Sequence, residues 1–204
     1  TQAAALFQKF GAVAAESTFP ALVYGAFSGM ALTVFNLVPS VTNMFGKSVL
    51  PCAAQSWAKG QKEAVQKQLQ SVLFLTALIA LPAAGGLFCL SDSILTLLYP
   101  GQETACRIAA ESLRSLLPGM VFLCFTMPLF SILQGIGRAD LPVKYMLPCV
   151  AVKLLGNILF LQIPACSLLG AGLSTSLCYA LLFGMTLFSL CRMLGMSLRG
   201  LKPI

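Results

Sequence analysis

The stretch Leu141–Gln162, LPVKYMLPCVAVKLLGNILFLQ, decides how this chain is read: it is a long apolar run with one cation, Lys153, in its interior. Wound as a helix from Leu141, the run carries Lys153 about 18 Å along its axis at about 1.5 Å per residue, well inside a hydrocarbon layer of about 30 Å. An ammonium at that depth costs about 3 kcal/mol even on permissive insertion scales, so Lys153 is expected to face protein or water and to have a partner or a task. Asn157, one turn on, shares its face. The competing reading is a snorkelling lysine whose long stem reaches an interface, a device that suits helix ends better than helix centres.

Outward from that run, the 204 residues are 58% hydrophobic and 9% charged, with a mean hydropathy of +0.88. Soluble domains carry roughly 25% charged residues, so this composition belongs to an integral membrane protein. The apolar runs are too long for core helices and lack the alternation of barrel strands. An all-α, polytopic transmembrane helix bundle is therefore the spanning fold that satisfies the backbone. Five spans are expected, at about 20–46, 69–90, 116–136, 141–162 and 168–191, with kinks or stops at Pro39, Pro82, Pro118 and Pro128. Between them, Ser91-Asp92-Ser93 reads as the cap of a short helix, and Gln102–Leu116 as an amphipathic helix with Glu103, Arg107, Glu111 and Arg114 in mutual reach. Ile163-Pro164-Ala165-Cys166 reads as a tight turn.

The first span carries a polar stripe. Thr33, Asn36, Ser40, Asn43 and Lys47 recur at spacings of three and four, which confines all five to one side of a helix. Two explanations stand: hydrogen bonds to neighbouring helices, or a wall lined by water or substrate. Pro39 lies within the same segment and removes one backbone hydrogen bond there.

The net charge of +7 has the pattern of a topology signal rather than of a nucleic-acid partner. Lys59, Lys62 and Lys67 follow the first span, Arg138 and Lys144 the third, and Arg192, Arg199 and Lys202 the fifth. The positive-inside rule then places these alternate connections in the cytoplasm, in a multi-pass membrane protein. Chemistry of other kinds is poorly provided for. The eight cysteines form no C-x-x-C pair, there is no histidine, and no acid pair lies within a span. No metal, no cofactor and no enzymatic activity are expected. The opening TQAAALFQKF has neither Met nor a signal-peptide pattern, and the chain is expected to be an excerpt of a longer polypeptide.

Three segments, SVLPCAAQSWAKGQKEAVQKQL, SILQGIGRADLPV and KLLGNILFLQIPACSLLGAGLSTS, resemble in order and separation the stage V sporulation protein B branch of the polysaccharide-biosynthesis membrane proteins. That superfamily also holds lipid II flippases and multidrug and toxin extrusion transporters. The resemblance implies a two-lobed bundle of a dozen or more helices with a central cavity of alternating access, of which residues 1–204 form part of the second lobe. It implies a flippase that moves undecaprenyl-linked saccharides, precursors of peptidoglycan or polysaccharide, outward, with a role in spore cortex synthesis. Implied partners are the lipid-linked saccharide, membrane lipids, the remaining lobe and proteins of cell-wall synthesis.

A pyrophosphate-linked headgroup cannot cross hydrocarbon unaided and needs a hydrated, cationic path. Lys153, Asn157, Thr33, Asn36, Ser40 and Asn43 are the expected contributors, with Lys47 and Arg138 near the cytoplasmic mouth. Arg138 has the simpler alternative of a topology-setting loop charge. Two rivals are an ion-coupled drug exporter, which needs a buried carboxylate, and a non-transporting scaffold for wall-synthesis enzymes.

Overall fold

The computed structural model describes residues 19–161 and 167–195, and every regular element in them is helical. A first turn Phe19–Gly25, a π-wound segment Ala26–Ala31 and an α-helix Leu32–Ala58 run on as one helix, α1. It is followed by α2, Lys62–Leu98; α3, Glu103–Gly135; α4, Asp140–Leu161; and α5, Ser167–Leu194. All five are long and apolar enough to cross a membrane. Glycines at positive φ, Gly60, Gly101 and Gly137, sit in the short turns after α1, α2 and α3, where a left-handed residue reverses the chain at no steric cost.

Helix α3 is the core. It packs extensively on α1, α2 and α5, whereas α4 lies outside and leans almost wholly on α5. Burial follows: 72% of the apolar window of α3 is buried, against 11% of that of α4. Hydrophobicity cannot drive this sorting where lipid is as apolar as leucine, so close backbone approach has to. The glycines on the seams show it. A Cβ on Gly172 would lie 2.0 Å from Ser115 Oγ, one on Gly119 3.0 Å from the Ser176 backbone, and one on Gly46 3.0 Å from Pro128 Cα. Gly135 meets the Leu50 carbonyl and Gly156 meets Ser174 in the same manner. Ser176 adds polar glue between α5 and α3, its Oγ accepting from the Gly119 N–H at 3.0 Å and donating to Gly172 O at 2.9 Å. The small-residue run ahead of Leu177 thus does what its composition suggests, with Gly172, Ser174 and Ser176 all buried.

Two local expectations change. Ser91-Asp92-Ser93 caps nothing, because α2 continues through it to Leu98. Ser91 is buried and Asp92 forms an ion pair at 2.6 Å with Arg114 of α3, so the tripeptide is held inside the helix by its neighbour. For the same reason Arg114 reaches across to α2, where it also donates to Phe88 O, instead of serving only a charge ladder along α3. At about 1.5 Å per residue the 37-residue α2 is about 56 Å long, so its charged ends project beyond a hydrocarbon layer of about 30 Å. The turn expected at Ile163–Cys166 lies outside the described residues, as do the first eighteen positions, Arg199 and Lys202.

Candidate functional site

The polar stripe of α1 is on the surface of the bundle. Thr33, Asn36, Ser40 and Lys47 are exposed and Asn43 is half-buried. Thr33 Oγ1 donates to Gly29 O at 2.6 Å, Asn36 Nδ2 to Leu32 O at 2.8 Å and Ser40 Oγ to Asn36 O at 2.7 Å. These three side chains bond to their own helix one turn back, so they do not glue helices together. At about 100° per residue the five polar positions cover an arc about 80° wide, and exposed Leu37, Val41 and Met44 occupy the arc beside it. The outward face of α1 is thereby divided into a polar half and an apolar half. Pro39 and Thr42 turn the other way, into the protein, where Thr42 Oγ1 donates to Pro39 O at 3.0 Å.

Lys153 and Asn157 sit along the contact between α4 and α5. Asn157 Oδ1 accepts from Ser174 Oγ at 2.5 Å, and one turn on the other side of Lys153 the Cys178 thiol donates to Cys149 O at 3.2 Å. Lys153 lies between these two contacts, half-buried, with its charge in reach of Cys178. Half-burial means that neighbouring side chains cover part of Lys153. At the same seam Tyr145 and Ser189 hydrogen-bond at 2.5 Å. Sequence reasoning missed Ser174, Cys149 and Cys178. Their only signals were the small-residue run of α5 and a cysteine content without an assigned purpose.

The two groups of residues do not touch. Between them lies α5, which meets α4 through Ser174, Cys178 and Ser189, and meets α3 through Gly172, Ser176 and Phe183. The arc between those contacts carries Thr175, Tyr179, Leu182 and Thr186, all turned inward. Tyr179 stacks on Phe35 of α1, with ring centroids 6.3 Å apart and planes 24° from parallel. One aromatic pair therefore ties the helix with the polar stripe to the helix that supports Lys153. Arg138 lies apart from both groups, exposed in the turn between α3 and α4; Lys144 nearby pairs with Asp140 at 2.9 Å.

A bundle of long apolar helices with a polar outward face and a half-buried mid-helix cation is the construction of a multi-pass membrane protein. The family comparison agrees: the MatE family model matches residues 21–159, and the chain belongs to the MatE family. It is also similar to an uncharacterized membrane protein of Methanocaldococcus jannaschii, with 26% identity over 157 residues, which cover 77% of this chain and 30% of that protein. The chain thus spans less than a third of the length of that relative.

Proposed function

We propose that this chain is part of the second lobe of a flippase that carries a lipid-linked, pyrophosphate-bearing saccharide across the membrane by alternating access. On this reading the α1 stripe and the Lys153–Asn157 pair form one wall of its polar path. The observation that carries the reading is the α1 stripe itself. It is exposed, it makes its hydrogen bonds to its own helix, and it lies beside an apolar arc suited to lipid. A face of that kind needs water or a polar cargo opposite it.

Register supports a shared groove. Lys153 and Asn157 are offset about 50° and 90° around α4 from the Cys149–Gly156 contact line, and Thr175 and Tyr179 are offset about 70° and 110° around α5 from the line of Ser174, Cys178 and Ser189, in the same sense. In an antiparallel pair, equal offsets in one sense point to the same side. The cation and the amide therefore open on the side of α5 from which Tyr179 reaches α1. Charge supports an anionic cargo. Among the described residues no carboxylate is fully buried: Glu63, Asp92, Glu103 and Asp140 are exposed and Glu111 is half-buried. An ion-coupled exporter would take its buried carboxylate from elsewhere in the polypeptide.

The test is transport by the complete polypeptide in cells depleted of their own lipid II flippase, following labelled lipid-linked precursor on the outer leaflet. Restored appearance of precursor, lost in Lys153→Met at equal protein level, is the expected result. No restoration by well-expressed wild type would refute this cargo, and export of a cationic drug under the same conditions would establish the exporter reading instead.

A further inference from the structure

We infer that Cys149 and Cys178 are a redox-convertible dithiol that, when oxidised, staples α4 to α5 one turn from Lys153. The cysteine content of the chain has no part in the transport reading, and an ordinary structural account covers some of its thiols. Cys106, for example, points its Sγ at Leu95 O and Tyr99 O of the neighbouring turn, at 3.5 and 3.6 Å. Cys149 and Cys178 differ. They face each other from two separate helices, both are buried, and the Cys178 thiol reaches across the seam to donate to Cys149 O at 3.2 Å. Around them pack Phe130, Leu182 and the partly buried Tyr145 and Tyr179, with the Lys153 ammonium alongside.

That setting selects the reagent. A bulky electrophile cannot enter a packed apolar seam, whereas hydrogen peroxide is small and uncharged. The attacking species is the thiolate, formed as the thiol gives up its proton. The Cys178 thiolate attacks one peroxide oxygen, the O–O bond breaks, and the hydroxide released takes up the thiol's proton to leave as water, giving a sulfenic acid. The Cys149 sulfur then attacks the sulfenic sulfur, the S–O bond breaks, and a second water departs. Two thiols and one peroxide become one disulfide and two waters. A disulfide here would fix α4 on α5, and α4 has little other support in this lobe. Cysteine pairs that condense in this way spare the first thiol from irreversible over-oxidation, which a solitary thiol cannot do.

The experiment uses the complete protein in membranes, treated with hydrogen peroxide and then digested for mass spectrometry under thiol-blocking conditions. A linked peptide pair joining Cys149 to Cys178, lighter by two hydrogens and reversed by dithiothreitol, is expected, and it should vanish in both Cys149→Ser and Cys178→Ser. The solvent- or lipid-exposed Cys52 and Cys89 should carry the higher oxides or blocking label instead. Cys149 and Cys178 recovered as separate reduced thiols from wild type, while Cys52 or Cys89 is oxidised, would overturn the proposal. This readout is independent of transport, so it stands or falls apart from the flippase reading.

Discussion

Helices α2 and α3 are nearly equal in apolar character, yet 22% of one apolar window and 72% of the other are buried. In water such similar helices would compete for the core on equal terms. In a membrane the contest is decided by how closely backbones approach. Helix α3 wins because Gly119 and Gly135, and Gly46 and Gly172 opposite it, let α1 and α5 come within contact of its backbone. Helix α2 has glycines too, but Gly85 and Gly86 have open space where a side chain would go. The lesson is that a glycine marks the core of this bundle only where a serine, a proline or a carbonyl answers it. Polar residues obey the converse rule: Ser174 and Ser176 on α5 are buried and satisfied across a seam, and those on the α1 stripe face out.

The largest effect expected from this contrast is at Gly172. Replacement by Leu would drive a side chain into Ser115 and should destabilise the bundle by about 3 kcal/mol or prevent its assembly, whereas Gly85→Ala should be neutral. Thermal unfolding in detergent of the two variants, side by side, checks the pair. Equal melting temperatures would break the account of α3 as a glycine-selected core.

Next in size is Lys153→Met, expected to lower transport about tenfold or more, equivalent to about 1.4 kcal/mol, with melting unchanged. A lysine whose role is structural would instead lower stability and transport together. Smaller still, Asn36→Leu or Ser40→Ala should each reduce transport severalfold while altering stability by less than about 0.5 kcal/mol, because these side chains serve no neighbouring helix. Smallest of all is Arg114→Met. Its partner Asp92 is mostly solvent-exposed, so loss of the pair should cost less than about 1 kcal/mol in an unfolding titration, and less again in high salt.

Much of this was legible in the residues because membrane physics leaves few choices. Run length and the need to satisfy the backbone identify the helices, and a three-and-four spacing is enough to put Thr33, Asn36, Ser40, Asn43 and Lys47 on one face. What spacing could not reveal is which way that face points, since burial of α1 depends on Gly46 meeting Pro128 more than eighty positions away. The identity of Asn157's partner was hidden for the same reason, as Ser174 lies on another helix. Ser91-Asp92-Ser93 misled because cap propensity is local, whereas the Arg114 that holds Asp92 in a continuous helix comes from α3. The family match reaches the MatE family, while the proposed cargo comes from the resemblance of three segments, with Lys153 and the stripe as the residues that suit it.

The measurement that tests the central claim most directly is accessibility along α1 in the complete protein. Single cysteines would be placed at Asn36, Ser40 and Asn43, and at Leu37, Val41 and Met44, with Cys52 and Cys89 replaced, and treated with a small charged thiol reagent. The account predicts rapid labelling at the first three positions, slowed by a lipid-linked pyrophosphate, and little at the second three. Equal labelling of the two sets, or protection of the polar set alone without cargo, would contradict it.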